Sequence, residues 1–408
     1  MTEREIPDLN TARRLIAERI VSLGAETVSL EQAVGRVPQQ SLRALCPLPG
    51  FDQSLRDGYV IGKGGQRTDA GWSYELAGEI AAGDVGPNSL APGSACRIMT
   101  GGLIPARAQR VIQDEQCQVR GGRLVISDAV KSAAETYVSY KGRQLQRGRV
   151  VVPAGRPLEP GDLVLLAGCG YAEVEVCKRP RVGFFCTGSE LDLPGAVLEP
   201  GRKITGNGYF LRDLATRVGS QVADHGLVKD RLELVQERLA EVLATDVDLV
   251  ISTGGMGPGK YDLVEEAFAR AGGHLVYRAL NVRPGRATLF GVLGRTLFFG
   301  LPGPPPAVRM LLNELVAPAL LALQGVQRRG PRNLRVRLSE ALQVRSCGVC
   351  RLRGGIIELN RGECVVRPAR QLESPSCYLV IPARRCSYRQ GELITVHLPV
   401  SLCSGSVL

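Results

Sequence analysis

Three carboxylates stand just beyond three apolar segments in the middle of the chain. Glu190 ends Thr187-Gly188-Ser189-Glu190 after residues 182–186, and Asp230 follows Leu227-Val228-Lys229. Asp262 closes the glycine-rich stretch Gly254-Gly255-Met256-Gly257-Pro258-Gly259-Lys260-Tyr261-Asp262. If the apolar segments are parallel strands, their C-terminal ends share one edge, where ligands of open α/β sheets bind. Three oxygen donors there suit Mg²⁺, which keeps water and phosphate as further ligands. The competing explanation for Asp230 and Asp262 is helix capping, in which a carboxylate at a helix start gains about 1 kcal/mol from free N–H groups and the dipole. Gly254, Gly255, Gly257 and Gly259 would let backbone N–H groups approach an anion before a helix begins, and tight strand–helix packing alone would also use them. The spacing matches neither G-x-G-x-x-G nor G-x-x-x-x-G-K-[ST], so a dinucleotide or ordinary NTPase loop has no support. Arg283-Pro284-Gly285-Arg286 puts two guanidinium forks around a turn, matched to phosphate or oxyanion edges if it is more than a solvated loop.

The elements that must carry these residues follow an alternating pattern. Strands are expected at 182–186, 221–228, 249–252, 287–293 and 296–299, with helices at 209–218, 231–244, 263–272 and 306–324. That is a three-layer α/β/α domain on a mostly parallel sheet. Leu301-Pro302-Gly303-Pro304-Pro305-Pro306 makes a stiff entrance to the last helix. Upstream, Asn10 or Thr11 is expected to cap a first helix whose apolar face is Leu15, Ile16, Ile20 and Leu23, ending at Gly24. A short helix should start at Ser29. Short strands at 59–61, 96–99, 110–112 and 124–126 predict a β-rich module, and 149–155 with 160–169 looks like a return to the first module. Gln327-Arg328-Arg329-Gly330-Pro331 reads as a linker, followed by strands at 334–338, 351–359, 378–381 and 393–398.

Composition narrows the partners. The 408 residues carry a formal net charge of +11, arginine far outnumbers lysine, and no lysine follows Lys260. Such a balance favours anionic small molecules. Nucleic acid is disfavoured, because the arginines are dispersed and lack interleaved aromatics. No charged-then-apolar N-terminal signal occurs and no apolar run approaches the roughly 20 residues of a membrane span, so no membrane association and a cytoplasmic location are expected. Twelve scattered cysteines read as small buried hydrophobes; Cys347-Gly348-Val349-Cys350 has zinc-knuckle spacing but no second pair. His225, His274 and His397 are too far apart in sequence to suggest a histidine metal centre or a Ser-His-Asp triad.

With these residues in view, a set of motifs carries a resemblance. Asp57-Gly58-Tyr59, the stretch Glu75 to Asp84, Arg97-Ile98-Met99-Thr100-Gly101-Gly102 and Thr187-Gly188-Ser189-Glu190-Leu191 belong to it. So do the Gly254-Gly255 loop ending in Tyr261-Asp262, Arg283-Pro284-Gly285-Arg286 and Leu301-Pro302-Gly303. Together, over essentially the whole chain, they resemble the motif set of molybdopterin molybdenumtransferases, the molybdenum insertases related to the C-terminal domain of gephyrin. The resemblance implies a discontinuous N-terminal domain (residues 1–50 and 141–179) and a β-rich lasso (51–140). It also implies an α/β domain like molybdopterin adenylyltransferases (180–327), a C-terminal β barrel (328–408), and a homodimer with shared sites. The implied substrates are adenylylated molybdopterin and molybdate, with Mg²⁺ or another divalent metal; AMP leaves and molybdenum enters the dithiolene. Molybdopterin adenylyltransferase and molybdoenzymes become possible protein partners. In that frame Glu190, Asp230 and Asp262 hold the metal and orient water. Gly254, Gly255, Gly257, Gly259, Arg283 and Arg286 hold phosphate or oxyanion, Pro302 and Pro305 shape the wall, and Asp57 and Thr100 complete the site from a partner subunit.

Several positions depart from that pattern. Gln144 replaces an acidic residue, Gly257-Pro258 replaces Ser-Val, arginines replace both lysines of Lys-Pro-Gly-Lys, Pro304 replaces an Asn, and Arg56 replaces a Met. The stretch around Ser374 and Ser376 is shortened as well. Two readings therefore stand: an insertase, including one that prefers tungstate, or a non-catalytic pterin-binding carrier or scaffold.

Overall fold

The computed structural model describes residues 6–256, 263–327, 330–345, 348–360 and 362–400. It divides into two compact units, one built from 1–40, 154–159 and 175–408 and the other from 41–153 and 160–174.

In the first unit, four strands run parallel in the order Gln221–Val228, Arg181–Thr187, Leu249–Thr253, Thr296–Leu301. Leu289–Leu293 and His274–Tyr277 complete the sheet on the antiparallel side. Alternation within the central strands feeds two cores. Phe184, Ile251 and Phe299 face one, with Leu211, Leu214 and Val218 of the helix Asn207–Val218. Phe185, Val250 and Phe298 face the other, with Val235, Leu239 and Val242 of Leu232–Leu243 and Phe268 of Leu263–Arg270. A sheet covered on both faces explains the near-continuous apolar strands. The three-layer expectation holds, with most boundaries within two residues.

The last helix of this layer runs through Pro305–Leu311, a π-helical turn Leu312–Val316, and Ala317–Leu323. By length and composition alone its 19 residues would suffice to cross a membrane, but 89% of its apolar window is buried in the protein. The π turn brings Asn313 and Glu314 inside; Glu314 is completely buried. Arg13 pairs with its carboxylate, and His397 Nδ1 lies 2.8 Å from Oε2. The N-terminal helix is shorter than the periodicity suggested. It spans Leu9–Ala17 and is capped by Asp8, whose carboxylate accepts from Thr11 N–H, so Ile20 and Leu23 lie beyond it. Ser29 ends a strand, Ala25–Ser29, before a single 3₁₀ turn.

Five C-terminal strands close on themselves in the order Cys350–Asn360, Glu363–Pro368, Asn333–Leu338, Leu393–His397, Cys377–Ile381, the last pairing back to the first. This barrel has its own core, including Val336, Leu338, Val366, Leu379 and Val396. It is tied to the α/β layers by Val282–Arg283, which adds a short parallel strand to it, and by Val400 N–H donating to Asn313.

In the second unit the sheet order is Ala108–Gln113, Gly58–Gly62, Ser94–Ile98, Gly71–Ile80, Arg123–Ile126, Cys117–Arg120, with Gln66–Thr68 on Gly71–Ile80. Period-two burial again serves two cores: Tyr59 and Ile61 enter one, Val60 the other. Val150–Val152 pairs with Leu42–Arg43, and Pro160–Gly168 forms a helix.

Candidate functional site

The registers Cys186↔Thr253 and Thr253↔Leu301 align the strand ends, so the loops after Thr187, Val228, Thr253 and Leu301 emerge on one edge. Leu289↔Gly300 brings the preceding segment, with Arg286 in its loop and Arg283 in the short strand paired to the barrel, to the same edge. Gly254 is fixed there by its environment. Its φ is +92°, its N–H donates to Leu301 C=O at 3.0 Å, and a Cβ would lie 2.2 Å from the Thr187 carbonyl oxygen. Only glycine lets these two loops touch, so tight packing accounts for Gly254 directly, while Gly255 follows in a left-handed conformation at φ +61°. Gly257, Gly259, Pro258 and Asp262 lie outside the described residues, as does Cys347.

Asp230 does not cap the helix that follows it. The N-cap of Leu232–Leu243 is Arg231, without a side-chain cap bond. The Asp230 carboxylate instead accepts from Ser189 N–H at 2.8 Å, and Asp230 N–H donates to Ser189 Oγ at 2.9 Å. This reciprocal clasp joins two strand-end loops and sets Asp230 beside the exposed Glu190. The serine gave no sequence signal, because which loop Asp230 would meet depends on strand order.

Behind the glycine loop, Asn207 was also missed by sequence reasoning. It is 6% exposed, and its Nδ2 donates to Thr253 Oγ1 at 3.2 Å and to Gly303 C=O at 3.0 Å. It thereby fixes the glycine loop against the Pro302-Gly303 turn. Thr253 and Thr205 hydroxyls both reach Cys186 Sγ at 3.3 Å, and burial pushes that thiol pKa up. An Asn at a helix start reads as an ordinary cap, which hides it in sequence. Pro302 is half-buried, and Pro305 opens the last helix, where Pro304 is an N-cap without a side-chain bond. Arg283 and Arg286 are exposed, and neither guanidinium is in an ion pair among the described residues. These are cationic forks on the sheet edge that also carries Glu190 and Asp230. A cavity of about 1040 Å³ lies at the opposite edge of the sheet, near Arg181, Asp246 and Arg295. It contains none of these groups, so the edge at the strand C-termini is the better candidate.

In the second unit the register Gly58↔Ile98 brings Asp57 to the end of Ser94–Ile98. Asp57 Oδ1 accepts from Thr100 N–H at 2.6 Å and from its hydroxyl at 2.8 Å. Those two bonds hold the Asp57 carboxyl below the usual aspartate range. Gln144 is exposed, with its backbone N–H on Leu48 C=O.

Among the described residues no cluster of three or more His, Cys, Asp or Glu side chains could hold a metal. Two carboxylates on one edge nonetheless fit a hydrated Mg²⁺, which commonly takes one or two protein carboxylates plus substrate phosphate.

Fold and edge together define an α/β protein with carboxylates, glycines and arginines gathered at the carboxyl ends of parallel strands, joined to a closed barrel. Residues 183–322 match the family model "Probable molybdopterin binding domain", and residues 8–170 match "MoeA N-terminal region (domain I and II)". The molybdopterin molybdenumtransferase of a Nostoc species is 31% identical over 307 residues, 74% of this chain and 70% of that protein. That of Staphylococcus aureus is 30% identical over 338 residues, 82% and 80% of the two chains. Two solved structures of the molybdopterin biosynthesis moeA protein from Pyrococcus horikoshii share the fold, with TM-scores of 0.81 and 0.77. Each is 24% identical and covers 97% of this chain, with 99% and 100% of their own chains covered. The chain belongs to the molybdopterin molybdenumtransferase family.

Proposed function

We propose that this protein acts in molybdenum cofactor biosynthesis as an insertase, taking adenylylated molybdopterin and molybdate, releasing AMP and leaving molybdenum on the dithiolene. The observation that carries it is the shared edge: free arginine forks, a glycine loop packed to backbone distance, and the Ser189-linked pair Asp230 and Glu190. Arg283 and Arg286 bind the anionic groups, and Gly254, its own N–H spent on Leu301 C=O, seats the loop so that the backbone at Gly255 can approach the phosphate. Asp230, Glu190 and Asp262 would hold Mg²⁺, which when bound neutralises charge developing on the phosphoanhydride. Asp262 orients the water whose oxygen forms the new bond to phosphorus as the bridging P–O bond breaks. Pro302 and Pro305 shape the wall. Asp57, held ionised by Thr100, completes the site from a second copy in a homodimer.

The four-part division into residues 1–50 with 141–179, 51–140, 180–327 and 328–408 is the functional division proposed, in a protein working in the cytoplasm. Molybdopterin adenylyltransferase would supply the substrate, and a molybdoenzyme would accept the product. A second reading is a pterin-binding carrier. It is favoured by Pro304 in place of Asn and by Pro305 and Pro306, which offer no N–H groups at the helix start. Purified protein given adenylylated molybdopterin, Mg²⁺ and molybdate should release AMP; tight pterin binding without AMP would establish the carrier.

A further inference from the structure

The segment between the strand Arg181–Thr187 and the helix Asn207–Val218 closes on itself around Arg202. Leu191–Asp192 and Lys203–Ile204 pair in parallel, Lys203 N–H donates to Glu190 C=O at 2.8 Å, and Thr205 N–H to Asp192 C=O at 3.0 Å. Inside this loop the guanidinium of Arg202 is spent on protein acceptors. Its Nε donates to Asp192 Oδ2 at 2.8 Å and Nη2 to the other Asp192 oxygen. Nη2 also reaches Leu191 C=O at 3.0 Å, and Nη1 reaches Ser189 C=O at 2.5 Å. The bidentate pair leaves Asp192 24% and Arg202 31% exposed at the side chain, so it is partly sheltered from water. With all three nitrogens engaged, Arg202 has little left to bind a ligand anion. Its geometry points instead at the backbone on either side of Glu190.

We propose that Arg202 is a positioning residue. It holds the carbonyls of Ser189 and Leu191, and so fixes Glu190 between them. Through Ser189, whose N–H and hydroxyl clasp Asp230, it sets the two carboxylates as one pair for a divalent cation. The inference rests on the metal reading above. A lysine at 202 can reach one acceptor as a point charge but cannot span Asp192 and both carbonyls. A glutamine keeps one bond at most and no charge.

The test uses the full-length protein and two readouts besides activity: amide hydrogen exchange at Ser189, Leu191, Lys203 and Asp230, and Mn²⁺ binding followed by electron paramagnetic resonance. Arg202→Gln should raise exchange at these amides at least about tenfold, and should raise the Mn²⁺ concentration for half-saturation by a similar factor, the scale seen when groups supporting metal ligands are lost. Arg202→Lys should fall between it and wild type. Asp192→Asn keeps the positive charge but loosens the fork, and should shift both readouts the same way. Unchanged exchange in Arg202→Gln, with Mn²⁺ still bound by wild type, would overturn the clasp alone. Wild-type protein that takes up no Mn²⁺ would overturn the cation reading, and the proposed purpose of the clasp with it.

Discussion

Gly254 shows how a single residue can decide whether two strand-end loops meet. At φ +92°, with the Thr187 carbonyl oxygen 2.2 Å from where a Cβ would sit, Gly254→Ala must distort backbone rather than a movable side chain. Denaturant unfolding should register a loss of about 2 kcal/mol or more. Asp57 makes a pH argument. Its carboxyl is held below the usual aspartate range chiefly by Thr100 N–H, then by the Thr100 hydroxyl. A folded value below the unfolded one gives stability that is present above the unfolded value and lost as pH falls through the folded one. Thr100→Ala removes the hydroxyl bond, so carboxyl NMR titration should show Asp57 moving up toward the ordinary aspartate value; an unmoved titration would contradict the pairing. Asp262→Ala should abolish turnover with little change in Tm, and retained activity would assign that residue to capping or packing. At this scale the strand-end places of Glu190, Asp230 and Gly254 were legible because residue types and spacing suffice for them. Ser189, Asn207 and Arg202 were not: Ser189 and Asn207 act on loops distant in sequence, Arg202 acts within an irregular loop whose closure has no periodic signal, and ordinary local roles mask all three.

At the scale of elements, the π turn Leu312–Val316 is the most consequential irregularity. It draws Glu314 into a core where Arg13 from the N-terminal helix and His397 from the barrel meet its carboxylate. Removing one member of a buried charged group strands the others, so Glu314→Ala should lower unfolding free energy by about 3 kcal/mol or more, measured in denaturant. Loss of under 1 kcal/mol would mean that water already satisfies those partners. The central strands of the α/β layer could be read from sequence because burial on both faces leaves near-continuous apolar runs, whereas the four-residue edge strand His274–Tyr277 was missed. Gly71–Ile80 and Glu363–Pro368 escaped. In the first, only Trp72, Tyr74 and Leu76 hint at a pattern before polar residues break it; the second is a six-residue strand begun by Glu363 and closed by a proline. The first helix was overextended because Ile20 and Leu23 continue its apolar spacing after Ala17 has ended it.

For the whole molecule, the +11 charge and the family assignment point the same way, toward polyanionic substrates. Screening should weaken that attraction, because the Debye length falls from about 10 Å at 0.1 M salt to about 3 Å at 1 M. KM for the pterin substrate should therefore climb with ionic strength while kcat stays nearly level. A flat KM would place recognition in uncharged contacts. Family membership was legible because the motifs recur along nearly the whole chain, whereas the consequences of Gln144, Pro258 and Pro304 depend on chemistry that sequence alone does not contain. The most direct measurement is a single-turnover assay of the purified protein with adenylylated molybdopterin, Mg²⁺ and molybdate, following AMP and cofactor that activates an apo-molybdoenzyme. Insertase action predicts that AMP and active cofactor form together in the presence of molybdate. Pterin that stays bound and adenylylated, with no AMP released, would contradict it.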